Sequence, residues 1–321
     1  MANDDHVAGT TTNQAIVTQG LNQAFSDYSD YDQYGYNDDA LWWATAAYYG
    51  YRAYGDQGLL NNAIATWQHV SNYVISAANA AAGSISTKSF AIEGSCGATM
   101  AGGVFWRPTS DDTSVNSVTT GLYMTLSAFL GEATGDSTYT TAAELSATWI
   151  QNVNLNSDYL ALDTVDAQDC SRSAATELFT YNSGKLIEGV AVLAQSNSAW
   201  SGLLANAVSG ATHTTAWQGN NGIITEGADV SADNDAVGFK SVLIRALHEA
   251  YTRNSGNSAL QTLIQSYIDV QYNALANLAS TNSGGTIWYS PAWAGPGPSS
   301  MISWGQLAAL DVLVSVIDTN N

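Results

Sequence analysis

Basic residues are scarce in this sequence: Lys and Arg total 8 against 28 Asp and Glu, a formal charge of −20 over 321 residues. So few cations leave no footprint for a phosphate backbone or an anionic bilayer, which excludes nucleic acid and membrane surfaces as partners. Long apolar runs are missing too, since no segment approaches the roughly 20 residues of a membrane span. Met1-Ala2-Asn3-Asp4-Asp5 has neither the basic start nor the apolar core of a secretory leader. Val312 to Asn321 lacks the hydrophobic tail of a lipid-anchor signal. Cysteine occurs only at Cys96 and Cys170, and the four histidines are scattered. No metal-ligand spacing results, so no metal and no cofactor is expected. One Cys96–Cys170 disulfide is the expected use of the pair in an oxidising compartment.

With 45% apolar residues the chain can still bury a large core. Its surface is then left to Ser, Thr, Asn, Gln and Gly, a composition common in secreted proteins. The expectation is a secreted, extracellular monomer whose leader is not part of this sequence.

The organising stretch is Tyr36-Asn37-Asp38-Asp39-Ala40-Leu41-Trp42-Trp43. Two adjacent carboxylates head a run that carries no further charge until Arg52. Asn37 or Asp38 can act as N-cap, and Leu41 to Tyr54 reads as a helix apolar on every side, hence buried. Paired carboxylates at a buried helix start, among aromatic residues, suit acid/base work on a neutral substrate. The alternative is an acidic helix start favoured by the helix dipole alone.

The rest of the chain alternates two kinds of helix. All-round apolar stretches (115–130, 182–194, 236–251 and 305–317) are followed by stretches with one apolar face. In the first outer helix, for example, Leu60, Ala63, Ile64, Trp67, Val70 and Val74 share one side. Ten helices are counted, beginning with Asn13 to Phe25, and no segment alternates with period two for long enough to demand a strand. Residues 1–12 are expected to be loosely ordered, and 13–318 to form one all-α domain. Asp30-Tyr31-Asp32-Gln33-Tyr34-Gly35 is similar in part to a calcium loop, but its fifth position is Tyr34 and its twelfth is Leu41, so calcium is rejected.

Connections from buried to outer helix are short, at 55–58, 135–137, 196–198 and 254–257. Those from outer back to buried helix are long, at roughly 26–37, 80–114, 157–180, 216–233 and 281–303, and loops of that length are usually functional. Inner and outer helices alternating, with every long loop at one end, describe an α/α toroid. The long loops hold Trp106, Trp217, Trp288, Tyr289 and Trp293 among acids such as Glu93, Asp163, Glu226 and Asp233. Aromatic faces interleaved with carboxylates suit sugars. The competing use of each ring is to plug the loop layer onto the barrel. Cys96 and Cys170 fall in two of these loops, so their disulfide would staple the face.

Several motifs together resemble glycoside hydrolase family 76, the α-1,6-mannanases with an (α/α)6 barrel. Asn37-Asp38-Asp39-Ala40-Leu41-Trp42-Trp43 is similar to the family's Asp-Asp pair with a following Trp pair. Gly102-Gly103-Val104-Phe105-Trp106 resembles its Gly-Gly-aliphatic-x-Trp motif. Tyr181-Asn182-Ser183-Gly184 resembles its Tyr-Asn-x-Gly, and Phe239-Lys240-Ser241 with Arg245 its Phe-Lys-Gly…Arg. Asn37, Ser183 and Ser241 depart from the commoner residues, and ten helices fall short of the twelve such a barrel needs.

The resemblance implies a secreted, retaining endo-α-1,6-mannanase acting on α-mannan, with Asp38 as nucleophile and Asp39 as acid/base. Trp42, Trp106, Tyr181 and Asn182 would lie near the sugar, with Trp217, Trp288 and Trp293 as further aromatic candidates. Lys240 and Arg245 would pair with acids in the interior. Two close carboxylates cannot both ionise cheaply, so one pKa should rise while the other stays low, and the low member is assigned to Asp38. A mannan transglycosidase of cell-wall remodelling and a non-catalytic glycan-binding barrel are the alternatives. Retention of both aspartates counts against the second.

Overall fold

A computed structural model of the chain describes residues 1–230 and 235–320; Asp233 of the loop acids lies outside them. Twelve α-helices are present among the described residues, against the ten counted from the sequence. One of the two additions is α1 (Ala2–Ala8), in the stretch expected to be loosely ordered. Its Asp5 is 1% exposed. That carboxylate accepts hydrogen bonds from the Asn13 backbone N–H (2.7 Å), the Thr10 hydroxyl (2.8 Å) and the Tyr54 hydroxyl (2.8 Å). With the Asn13 amide as a fourth donor (3.1 Å), this buried acid fixes the segment, and nothing in its composition announced that contact.

The elements that follow are α2 (Gln14–Asp27), α3 (Asn37–Tyr54), α4 (Gln57–Ser71), α5 (Ala77–Ala82), β1 (Ser114–Asn116), α6 (Ser117–Thr134), α7 (Ser137–Val153) and β2 (Thr164–Asp166). Then come α8 (Thr180–Ser196), α9 (Ser201–His213), α10 (Ala236–Arg253), α11 (Ser258–Asn277), β3 (Ser280–Ser283), β4 (Thr286–Tyr289) and α12 (Ser303–Thr319). The second added helix, α5, begins with a capping box between Ser76 and Asn79. The all-α expectation also missed two small antiparallel pairs inside long loops, β1 with β2 and β3 with β4. Strands of three and four residues are too short to leave a periodic signature.

The chain divides into two compact units, Met1–Leu155 with Leu162–Ala175, and Asn156–Ala161 with Thr176 onward. In the first, α3 packs beside α6, and Tyr48 stacks on Phe129 at 4.6 Å between their centroids. α6 is buried on every side from Ser117 to Gly131, as its uncharged sequence predicts. Each of these helices turns into its outer partner by the same device. Gly55 and Gly135 end α3 and α6 in the left-handed conformation (φ 69° and 71°), which glycine adopts without strain. The next residue is the N-cap of the following helix: Asp56 accepts from Gly58 and Leu59 N–H, and Asp136 from Thr138 N–H.

In the second unit α10 packs against both α8 and α12, while α9 lies on α8 and α11 on α12. Arg245 pairs with Asp311 at 3.2 Å, as expected of an interior arginine. Lys240 does not take a carboxylate. Its Nζ donates to the carbonyls of Glu226 (2.8 Å), Gly227 (3.1 Å) and Val237 (3.3 Å), which satisfy a buried ammonium by three dipoles instead. α12 reads as buried all round, yet Leu307 is 68% and Ile317 54% exposed. An apolar pattern reports what could be buried, and neighbours decide what is.

Candidate active site

α3 starts without a side-chain cap. The N-cap position falls on Tyr36, in extended conformation, so Asn37 and Asp38 are already helical residues and not the expected caps. The segment Gly102 to Trp106 explains the difference. Gly102 has φ 99°, and a Cβ there would lie 2.3 Å from the Leu145 carbonyl oxygen, so only glycine lets this segment press onto α7. Beyond it, Ile75 N–H donates to Gly103 O (2.9 Å), Val104 N–H to the Thr120 hydroxyl (3.0 Å) and Trp106 N–H to Ser114 O (2.8 Å). The segment therefore lies across the start of α6. It meets the start of α3 as well: Asn37 N–H donates to Trp106 O (2.8 Å) and the Asn37 amide to Phe105 O (2.8 Å). Asn37 is buried in docking one element on another, and its N–H is met by that backbone carbonyl and not by an acid.

Trp106 arrives beside them by the same docking. Its indole Nε1–H donates to Asp38 Oδ2 at 3.0 Å, and Asp39 N–H donates to Asp38 Oδ1 at 3.1 Å. Both aspartates are half-buried. Burial, followed by the adjacent charge of Asp39, pushes Asp38 up to about 7, against the pull of those two N–H donors. A raised carboxyl was expected, but on the other member of the pair. The environment lifts Asp38 by burial first and by the Asp39 charge second.

Trp42 stands one helical turn beyond Asp38 on α3 and is half-buried. Its neighbour Trp43, which the sequence argument did not select, is 40% exposed. It stacks on Tyr31 at 6.0 Å and borders a cleft of about 290 Å³ that Gln23, Asp27 and Tyr28 also line. Two other residues were missed. Tyr36 lies against Trp106 with ring centroids 4.9 Å apart, and the Arg107 guanidinium is 4.4 Å from the Trp106 ring. Each is the immediate chain neighbour of a motif, and that adjacency was the available signal.

Cys96 and Cys170 are joined by a disulfide, as expected, with Cα atoms 5.3 Å apart. It ties the loop before β1 to the loop after β2, alongside the β1–β2 pairing.

In the second unit Tyr181 is half-buried at the start of α8 and stacks on Phe239 at 3.9 Å. Trp288 is half-buried in β4, opposite Thr281. The remaining candidates are buried: Asn182 and Trp293 are 0% exposed and Trp217 is 2% exposed. Burial of that degree is what a ring plugging the loop layer would show. Trp293 packs 5.2 Å from the Lys240 ammonium. No cluster of three or more His, Cys, Asp or Glu that could hold a metal occurs among the described residues, and no helix among them is long and apolar enough to cross a membrane.

The family model for glycosyl hydrolase family 76 matches residues 1–317, a span that runs through both units. The chain belongs to glycosyl hydrolase family 76. No curated protein matches it by sequence. Its fold is similar to the α-1,6-mannanase GH76A of Salegentibacter sp. HEL1_6. The solved structure is an inactive variant with two consecutive aspartates replaced by alanine, in complex with α-1,6-mannotetrose (TM-score 0.80, 15% identity, 99% of this chain and 86% of that one). It is similar also to Dfg5 from Chaetomium thermophilum in complex with glucosamine (TM-score 0.72, 16% identity, 99% and 76%). The family 76 mannosidase Bt3792 of Bacteroides thetaiotaomicron is a third match (TM-score 0.63, 15% identity, 96% and 86%). The likeness in fold carries the (α/α)6 class expected from the sequence.

Proposed function

We propose that this family 76 member is a secreted, retaining endo-α-1,6-mannanase with Asp38 and Asp39 as its catalytic pair. The observation that carries the reading is the adjacent Asp38-Asp39 at the buried start of α3, with Trp106 donating to Asp38. The inactive mannanase variant with two consecutive aspartates replaced, bound to an α-1,6-mannooligosaccharide, supports the same assignment by analogy. The disulfide supports an oxidising, extracellular setting.

In this reading Asp38 attacks the anomeric carbon of the α-linked mannosyl unit, and Asp39 gives its proton to the departing glycosidic oxygen. A β-linked mannosyl-enzyme forms. Asp39 then takes a proton from water, whose oxygen releases the sugar with its original α configuration. Both oxygens of Asp38 accept N–H donors, which favours the anion that attack requires. With Asp38 pushed up to about 7, the two neighbouring carboxyls share a proton below that pH. The working form is singly protonated, so kcat/KM should fall as pH rises through about 7.

The test is incubation with unbranched α-1,6-mannan, following reducing-sugar release, product length and anomeric configuration. Internal cleavage with α products is the expected result, and β products would exclude the retaining route. Chain transfer to an added acceptor oligosaccharide in place of hydrolysis would make the protein a transglycosidase. Asp39→Ala with azide should yield an α-mannosyl azide, since azide replaces water in attacking the β-linked mannosyl-Asp38; a β azide from Asp39→Ala would reverse the two roles.

A further inference from the structure

Trp106 is held at its backbone by two hydrogen bonds, from its N–H to Ser114 O and from Asn37 N–H to its own carbonyl, each 2.8 Å. Neither sets the rotation of the indole, and rotation decides whether Nε1–H reaches Asp38. Around the indole stands a clamp of two side chains. The Tyr36 ring lies 4.9 Å away at 53°. The Arg107 guanidinium carbon is 4.4 Å from the Trp106 ring and 4.3 Å from the Tyr36 ring, and Nη2 donates to the Tyr36 hydroxyl. A planar cation can touch two rings and bond a phenol at once; an ammonium cannot.

Arg107 is itself fixed. Its N–H donates to Asp112 Oδ2 at 3.1 Å, and its carbonyl accepts from Lys88 Nζ at 2.8 Å. Lys88 also donates to Thr109 O (2.7 Å), lies 3.8 Å from Asp112 Oδ2 and 4.2 Å from the Phe105 ring, and has no exposed side-chain surface. A fully buried ammonium thus knits the turn that carries Arg107, and the order of attachment runs Lys88, Arg107, Trp106, Asp38.

We propose that Arg107 is a positioning residue that clamps Trp106 against Tyr36, keeps the indole N–H on Asp38, and so favours the anionic form of Asp38 that attack requires. This rests on the mannanase reading for its effect on turnover, though not for its effect on Asp38. The charged and titratable groups next in sequence to Asp38 and Trp106 are Asp39, Tyr36 and Arg107; the segment between α5 and α6 adds Lys88, Glu93, Asp111 and Asp112, and the rest of α3 adds Tyr48, Tyr49, Tyr51, Arg52 and Tyr54. Without the indole N–H, Asp38 keeps its burial and its charged neighbour but loses a donor that favours ionisation, so its proton is held to higher pH.

The test compares wild type with Arg107→Met, Arg107→Lys, Trp106→Phe and the Arg107→Met/Trp106→Phe double variant. Two quantities are followed against pH: unfolding midpoint in denaturant, and kcat and KM on α-1,6-mannan. Arg107→Met should move the alkaline limb of kcat/KM upward by about half a unit or more. The pH at which stability stops falling should move with it. kcat should drop on the order of 10- to 100-fold, with a smaller change in KM. Trp106→Phe should displace the limb equally, and the double variant no further than either single, because both act on one hydrogen bond. Arg107→Lys should restore rate only in part. A lowered midpoint in Arg107→Met with the limb unmoved, or displacements that add in the double variant, would overturn the proposal. If the wild type fails to cleave mannan, the functional reading falls, and the stability curves still decide the positioning role.

Discussion

The starts of α3 and α8 pose one problem and solve it in opposite ways. Neither helix has its own side-chain cap. At α8 a loop acid supplies one: Glu226 accepts from Thr180 N–H at 3.0 Å and from the Thr180 hydroxyl. At α3 the first N–H goes to a backbone carbonyl, that of Trp106, and Asp38 takes the N–H of Asp39. Both carboxyls are raised, Glu226 by burial against the pull of Thr180 and Lys240, and Asp38 by burial together with Asp39. A raised pKa therefore does not mark chemistry by itself. What separates the two is the donor set. Glu226 is consumed by a helix end, whereas Asp38 faces an indole and a second carboxylate.

The sharpest way to break that comparison is to neutralise each acid. Asp38→Asn should lower mannan hydrolysis by about 10⁴-fold or more, read as reducing-sugar release, while Glu226→Gln should leave turnover per folded molecule nearly unchanged. Equal losses would erase the distinction. Next in size is the staple of the first unit. Cys170→Ser opens a link between residues 74 apart in sequence. In the chain-entropy model that costs about 4–5 kcal/mol, measurable as a fall in denaturation midpoint.

A third effect separates the acids by pH. Asp38 is harder to ionise folded than unfolded, so its contribution to stability is full below its ordinary value near 3.8 and is lost as pH rises to about 7. Wild type should lose about 2–4 kcal/mol over that window relative to Asp38→Asn, compared by denaturant unfolding at pH 4 and pH 8. Parallel curves would mean that Asp38 is not the raised member. The smallest effect is the cap. Glu226→Ala leaves the Thr180 donors unmet and should cost about 1–2 kcal/mol in denaturant unfolding.

Much of this architecture was legible before any coordinates. The period of 3.6 separated buried from outer helices, and Gly-Asp at 55–56 and 135–136 marked the turns between them, because glycine ends a helix and aspartate begins one by local chemistry. The aspartate pair was legible for the same reason: charge at the head of an uncharged helix is a local anomaly. The loop tryptophans were not. Trp106 and Trp217 both sit in long loops between an outer and a buried helix, and nothing in their neighbours distinguishes a ring that reaches a carboxylate from one that is sealed at 2% exposure.

Sequence alone thus determined the helical class, the pairing of the cysteines, the family and the presence of an aspartate pair at the head of a buried helix, since each rests on contacts within a few residues or on residue types that are rare in this chain. Tertiary structure decided that Asp38 is lifted, why Asn37 docks the Phe105–Trp106 segment instead of capping its helix, and which tryptophans are sealed. Burial and hydrogen-bond partners across 68 residues of chain, as between Trp106 and Asp38, depend on where the backbone returns, and no local pattern records that.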